Sequence, residues 1–449
     1  MVTAPEVGQL EPFSLPVVER TQTDSGVELQ LVTAGSVPKA SVRLVLPMGS
    51  VHESPEQTWI AQLISEYLKE GAGDLDCTDL ADAVARMGGR LNVNVDDDTM
   101  TISAAVLGEY AADFVRLLGQ IVREPTFPAS ELDRLKSDLQ RNLDLAKAQP
   151  GTLAAAAFRR ALYANHPYGR LLTTPEVIDR FSAESSRKFF EARVIPSGTR
   201  LYVAGTFDAA QVTRAAESAF QGWKSTATTE SVPAKASSTR AIHLVDRPGA
   251  EQSTLSIGLP VPDPTNVNYV PLSVTNALLG GSFYSRITLN IREDKGYTYS
   301  PRSVLGTNPG SAHWVETADV TTNVTGASLH EIFAEVNRLG EEPPTAEELE
   351  GIQNYVAGGY VLRHATPGGI LGQLAFLDLH GLDHDWATAY VDRVLALSAD
   401  EMRQMAHDYL RTDEMVIAIV GDGSAIREEI EPFGAIHEVT LDQLCNAPA

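Results

Sequence analysis

Apolar and polar residues alternate with a period of two over Val27–Val32 and again over Ala40–Leu46, the signature of strands with one buried face. The two runs together predict a β-hairpin. The next segment, Trp59–Glu70, carries its apolar residues at helical spacing and stops at Gly71, so a helix is expected there. Further helices are expected at Thr78–Met87, Tyr110–Arg123, Ser130–Ala148 and Leu153–Tyr163. Between them Leu91–Leu107 alternates as strands do, with Asp96–Asp98 as the turn.

The pattern then repeats. An amphipathic helix leads into the apolar strand Leu201–Ala204, followed by Gly205 and an Asp-containing turn that opens another helix. The same succession ends the chain, with Met415–Val420 as the strand and Gly421 after it. At the start of the second half, Thr254–Leu259 reads as a strand and Val270–Leu279 as a helix ended by Gly280-Gly281. Ser225–Arg240, rich in Ser, Thr and Ala, has neither period and reads as a linker. The simplest account is an α+β protein of two homologous units, 1–224 and 241–449, joined by linker 225–240. Each unit would be a mixed or antiparallel sheet packed with long helices.

Composition narrows the function classes. The chain has 449 residues, of which 43% are hydrophobic and 21% charged, enough for sizeable cores. Its net charge of −24 repels a phosphate backbone and argues against nucleic-acid binding. Cys77 and Cys445 make neither a disulfide framework nor a zinc pattern. No basic-then-apolar leader is visible, and no apolar run reaches the ~18 residues of a membrane span. A cytoplasmic protein is expected, or a periplasmic one if the start was trimmed from a longer precursor.

Several stretches carry a resemblance. They are LPMGSVHE (Leu46–Glu53), the helix ending at Gly71, MGGRLNV (Met87–Val93), HPYGR (His166–Arg170), GGSFYSRITLNIREDKGYTYS (Gly280–Ser300) and the run from Leu379 to Leu410. In this order they resemble the pitrilysin/insulinase family of zinc peptidases, in the branch of the mitochondrial processing peptidase. The resemblance implies two homologous α+β units per chain, arranged as half of a clam-shell around a peptide chamber. It also implies a His-x-x-Glu-His motif on the first long helix, whose imidazoles bind zinc and whose Glu is the general base.

Anchored on Gly71, that motif falls on Gln62, Leu63, Ile64, Ser65 and Glu66, so both histidines and the base are replaced. The further ligand falls on Asn142. Two amides and a carboxylate lack the imidazole or thiolate that zinc prefers, and no His lies between His52 and His166. No metal or other cofactor is therefore expected in this chain. His380-Gly381-Leu382-Asp383-His384 imitates a zinc motif, but Gly381 interrupts any helix that would align the imidazoles.

The second half keeps what the first has lost. By resemblance, Arg292 ends a helix and Tyr299 begins a strand, and both reach a zinc site across the chamber. Leu91, Asn92 and Val93 match an edge strand on which relatives dock peptide by β-addition, and Gly280-Gly281 matches a glycine-rich substrate loop. The expectation is a non-catalytic subunit of a heterodimeric zinc peptidase. Its partner would be a homologous catalytic chain that has an intact His-x-x-Glu-His and holds the zinc, and its substrate a peptide. Two alternatives stand beside it: a scaffold subunit with no part in proteolysis, and a self-sufficient peptidase with an unusual metal site.

Overall fold

The computed structural model describes residues 14–225 and 234–446. Two six-stranded sheets organise it. The first contains β1 (Glu19–Gln22), β2 (Glu28–Thr33), β3 (Lys39–Leu46), β4 (Asn92–Val95), β5 (Met100–Leu107) and β6 (Arg200–Gly205). The second contains β7 (Ala241–Asp246), β8 (Gln252–Val261), β9 (Arg302–Asn308), β10 (Ser311–Thr321), β11 (Val416–Gly421) and β12 (Ile436–Glu438). Taken from the same end, their orders are β1-β2-β6-β3-β5-β4 and β12-β7-β11-β8-β10-β9. In both, a parallel pair (β2 with β6, β7 with β11) adjoins antiparallel strands; in the second sheet β12 also pairs parallel with β7, whereas β1 is antiparallel to β2. The chain is thus two homologous α+β units with mixed sheets.

The sheet orders correct the expected hairpin. β2 and β3 do not pair, because β6 lies between them, parallel to β2 and antiparallel to β3. Alternation along a strand fixes which face is buried but carries no information about its neighbour. Gly205, at the end of β6, is required by this insertion: with φ +132, a Cβ there would lie 2.2 Å from the Lys39 carbonyl oxygen.

The main helices are α1 (Ile60–Tyr67), α2 (Ala111–Arg123), α3 (Leu132–Ala148), α4 (Pro150–Tyr163) and α5 (Ala209–Phe220) in the first half. Those of the second half are α6 (Tyr269–Asn276), α7 (Thr325–Glu341), α8 (Ala346–His364), α9 (Pro367–His380) and α10 (Gly423–Ile430). Each sheet carries its own helices on one face and a helix from the other half on its second face. α9 lies on β3 and β6, and α4 lies on β8 and β11.

That exchange explains why β6 and β11 read as unbroken apolar runs. In β6, Leu201 and Val203 point into the core of the first half, while Tyr202 and Ala204 pack with Ile370, Leu371 and Leu374 of α9. In β11, Ile417 and Ile419 face the second-half core, while Val416, Ala418 and Val420 join the core that contains α4. A polar tie reinforces the first contact, since Gln30 Nε2 and the Tyr202 hydroxyl both donate to Asp378 of α9, at 2.6 and 2.7 Å.

The expected linker runs from Ser225 to Arg240; residues 226–233 lie outside the described residues, and 234–240 form neither helix nor strand. Among the described residues no helix is long and apolar enough to cross a membrane.

The exchange is testable at Leu374, fully buried on α9 against strands of the other half. Leu374→Ala removes that packing and is expected to lower the unfolding free energy by about 2–5 kcal/mol. A denaturant titration measures it, and a shift below ~1 kcal/mol would contradict the proposed packing.

Candidate functional site

α1 is positioned by a buried acid. Trp59, at φ +81, turns the chain into the helix, and the oxygens of the Glu53 carboxyl group accept the backbone N–H groups of Trp59 and Ala61, each at 2.9 Å. These are N–H groups a helix start leaves without partners. Burial pushes the Glu53 carboxyl up to about 8, against the pull of those two bonds and of nearby Arg170.

Gln62 and Glu66 sit one turn apart on α1, on one face. Ser65 Oγ donates to the Gln62 carbonyl at 2.7 Å, a bond within the helix. Glu66 pairs with Lys69. Gln62 Oε1 is buried without a hydrogen-bond partner, and Asn142 is exposed on α3, which packs along α1. These donors do not fit zinc. They include no imidazole, their one carboxylate is engaged by an ammonium, and no group of three His, Cys, Asp or Glu among the described residues could hold a metal.

Gln62 faces a polar cavity of about 490 Å³ that it shares with Val95, Asp97, Asp98, Arg159 and Asn308. Here the tips of two corresponding hairpins meet, the β4–β5 turn from the first half and the β9–β10 turn from the second. Asn308 Nδ2 donates to Asp97 and Asp98, each at 3.1 Å, Arg159 of α4 pairs with Asp97 at 2.7 Å, and the Tyr168 hydroxyl donates to Asp98 at 2.6 Å. Beside them the Tyr163 hydroxyl and His313 Nδ1 are 2.9 Å apart; burial pushes this imidazole down to about 4, so it is neutral at pH 7.

The expected docking strand is β4, which covers Asn92 and Val93 and, among the described residues, pairs only with β5, leaving its other edge unpaired beside α1. Leu91 lies one residue before the strand.

Arg292 belongs to a π-helical segment, Thr288–Asp294, that runs two residues beyond it. Its guanidinium carbon lies 4.4 Å from the Phe283 ring centroid and 5.0 Å from that of Tyr299. Tyr299 is 80% exposed and Phe283 54%, so the cation is held between two largely solvent-facing rings. Tyr299 does not begin a strand. It occupies a bend, and β9 starts at Arg302, after Pro301, which has no N–H to give to a ladder.

Gly280 and Gly281 close the π-helical turn after α6. A Cβ at Gly280 would lie 2.5 Å from Glu316 Oε2, so packing alone demands glycine there. Glu316 is fully buried and burial raises its carboxyl well above the usual range. His380 ends α9, with Gly381 in the left-handed region at φ +65, and His384 begins the next helix. Burial holds His380 down to about 4.

The fold therefore brings Gln62, Ser65 and Glu66 beside the β4 edge, while Arg292 and Tyr299 form a separate group with Phe283. Sequence reasoning missed three elements: Glu53, although it lies within the stretch Leu46–Glu53; Phe283 as a partner of Arg292; and Asp97 and Asp98 as the joint between halves. The run of three aspartates, Asp96–Asp98, was the visible signal for the last.

Residues 31–176 match the family model described as insulinase (peptidase family M16), and residues 180–356 match that of the peptidase M16 inactive domain. A Bacillus subtilis chain named as an uncharacterized zinc protease is 22% identical over 90% of this chain and 98% of its own length. A Helicobacter pylori chain named as a non-peptidase homolog is 22% identical over 88% of this chain and 96% of its own. A crystal structure of a peptidase M16 inactive domain from Pseudomonas fluorescens superposes with a TM-score of 0.83 at 21% identity, covering 90% of this chain and 98% of that one.

The Glu53 cap yields a pH prediction. Its folded value, about 8, lies above the ordinary 4.5, so the native state retains a proton that the unfolded state has lost. The stability this provides is present below pH 4.5 and disappears as pH rises through about 8. Unfolding free energy measured across this range should fall more steeply in the wild type than in Glu53→Gln; parallel profiles would contradict the assignment.

Proposed function

We propose that this chain, which belongs to the insulinase-type M16 peptidase family, is the non-catalytic subunit of a two-chain zinc peptidase. One asymmetry carries the reading. The positions that would bind zinc hold Gln62, Ser65, Glu66 and Asn142, with Ser65 and Glu66 engaged in bonds within and beside their own helix. In the other half Arg292 and Tyr299 are intact and stacked; Tyr299 faces solvent, and Arg292, with its side chain 22% exposed, also pairs with Glu293. On this reading residues 1–224 hold the degenerate helix, 241–449 hold the Arg292/Tyr299 pair, and 225–240 join them.

The catalytic partner would be a homologous chain with an intact His-x-x-Glu-His, which supplies the zinc. This chain would complete the chamber. Its Tyr299 hydroxyl would donate to the oxyanion that develops on the scissile carbonyl, and Arg292, restrained between two rings, would hold a neighbouring peptide carbonyl. Donors fixed before the reaction need no reorganisation during it, which is the source of their effect. The open edge of β4 and the Gly280-Gly281 turn would contact the peptide's backbone.

A second reading has a specific observation in its favour. The Helicobacter pylori relative is named a non-peptidase homolog, which suits a scaffold subunit with no part in proteolysis.

Kinetics of the reconstituted pair separate the two. Tyr299→Phe and Arg292→Ala are each expected to lower kcat by around 10²–10³ while the pair still assembles. A pair that works at full rate with both substitutions would remove the proposed roles and leave the scaffold reading.

A further inference from the structure

A second concavity, in the second half, is built differently. It is a cavity of about 360 Å³ between α6, α8, α9 and the helices of 384–396. Its walls are aromatic. The Tyr360 and Tyr390 rings stack with centroids 4.2 Å apart and planes 18° from parallel, and Trp386 lies 5.7 Å from both Tyr390 and Phe376. Tyr269 extends the wall, 6.4 Å from Trp386.

The polar groups on this cavity are all neutral or positive. Arg363 is exposed on its border and forms no ion pair among the described residues. Gly369, in the first turn of α9, brings the positive end of that fourteen-residue helix to the same wall. Gln373, nine-tenths buried, lines it; its side chain hydrogen-bonds His364, while its Nε2 has no hydrogen-bond partner among the described residues. Burial holds the His364 imidazole below its ordinary value, so the formal charge is that of Arg363 alone. Among the described residues no Asp or Glu lines the cavity, although the chain carries a net charge of −24.

We propose that this cavity binds an aromatic monocarboxylate, its ring against Trp386 and Tyr390 and its carboxylate on Arg363. The volume, near the lower end of small-ligand pockets, suits one aromatic acid. Flat walls favour a ring, since offset or edge-on aromatic pairs exceed simple area burial by roughly 0.5–1.5 kcal/mol. A cationic ring compound would gain from the same walls but would meet Arg363 with no carboxylate to offset it. A phosphate dianion would ask for more than the one cation present. Arg recognises a carboxylate through paired N–H donors, which sets the ligand's direction as well as its charge. The chemistry is shared by a free aromatic acid and by the C-terminal aromatic residue of a peptide.

The test uses the full chain titrated with 3-phenylpropionate, followed by calorimetry and by Trp386 fluorescence. One saturable site is expected, at least tenfold tighter than for 3-phenylpropionamide or phenethylamine. Arg363→Gln, on the surface, should keep the wild-type circular dichroism and Tm yet lose the acid at least tenfold while leaving the amide unchanged. Absence of saturable binding, equal affinity for acid and amide, or an unaffected Arg363→Gln variant would each overturn the proposal. Two further arms identify the source within it: displacement by the peptide Gly-Gly-Gly-Phe supports a peptide C-terminus, and failure to displace supports a free acid.

Discussion

A sheet whose two faces are both apolar must have both faces covered, and in this chain each sheet takes its second cover from the other half. β6 sends Leu201 and Val203 into its own core but Tyr202 and Ala204 against α9. β11 does the same, with Ile417 and Ile419 on one side and Val416, Ala418 and Val420 on the other. Separating the halves would strip apolar surface from both sheets, at roughly 25 cal/mol for each Å² exposed. At the hairpin tips Asn308 of the second half adds charge-assisted hydrogen bonds to Asp97 and Asp98 of the first. The two halves therefore act as one body, and the groups proposed to act on a partner's substrate are held at fixed positions.

Within that body α1 carries, at the positions that the resemblance aligns with a metal site, side chains that do not fit zinc. The Glu53 cap, the entry at Trp59 and the packing on α3 all serve the helix. The side chains proposed to stand at the metal positions serve it too, through the Ser65 bond to Gln62 and the pairing of Glu66 with Lys69. On the other half Phe283 and Tyr299 keep Arg292 oriented, its side chain partly buried and paired with Glu293.

Much of this was legible in sequence, for definite reasons. Period-two and helical patterns located the elements to within about three residues, as with Thr254–Leu259 for Gln252–Val261 and Leu153–Tyr163 for Pro150–Tyr163. The unbroken apolar runs at Leu201–Ala204 and Met415–Val420 marked the strands that are covered on both faces. Pairing was not legible, because β6 enters between β2 and β3 from far along the chain and leaves no local trace. The start of β9 was misplaced because the effect of Pro301 outweighed the alternation around Tyr299. The grouping of Phe283 with Arg292 depends on how two π-helical turns fold back, which residue spacing does not encode.

The most direct test of the central claim is the zinc content and peptidase activity of this chain, alone and with a homologous chain that carries His-x-x-Glu-His. The account predicts no stoichiometric zinc and no cleavage for the isolated chain, and one zinc with rapid cleavage for the pair. Stoichiometric zinc bound by this chain alone, together with peptide hydrolysis in the absence of a partner, would contradict it.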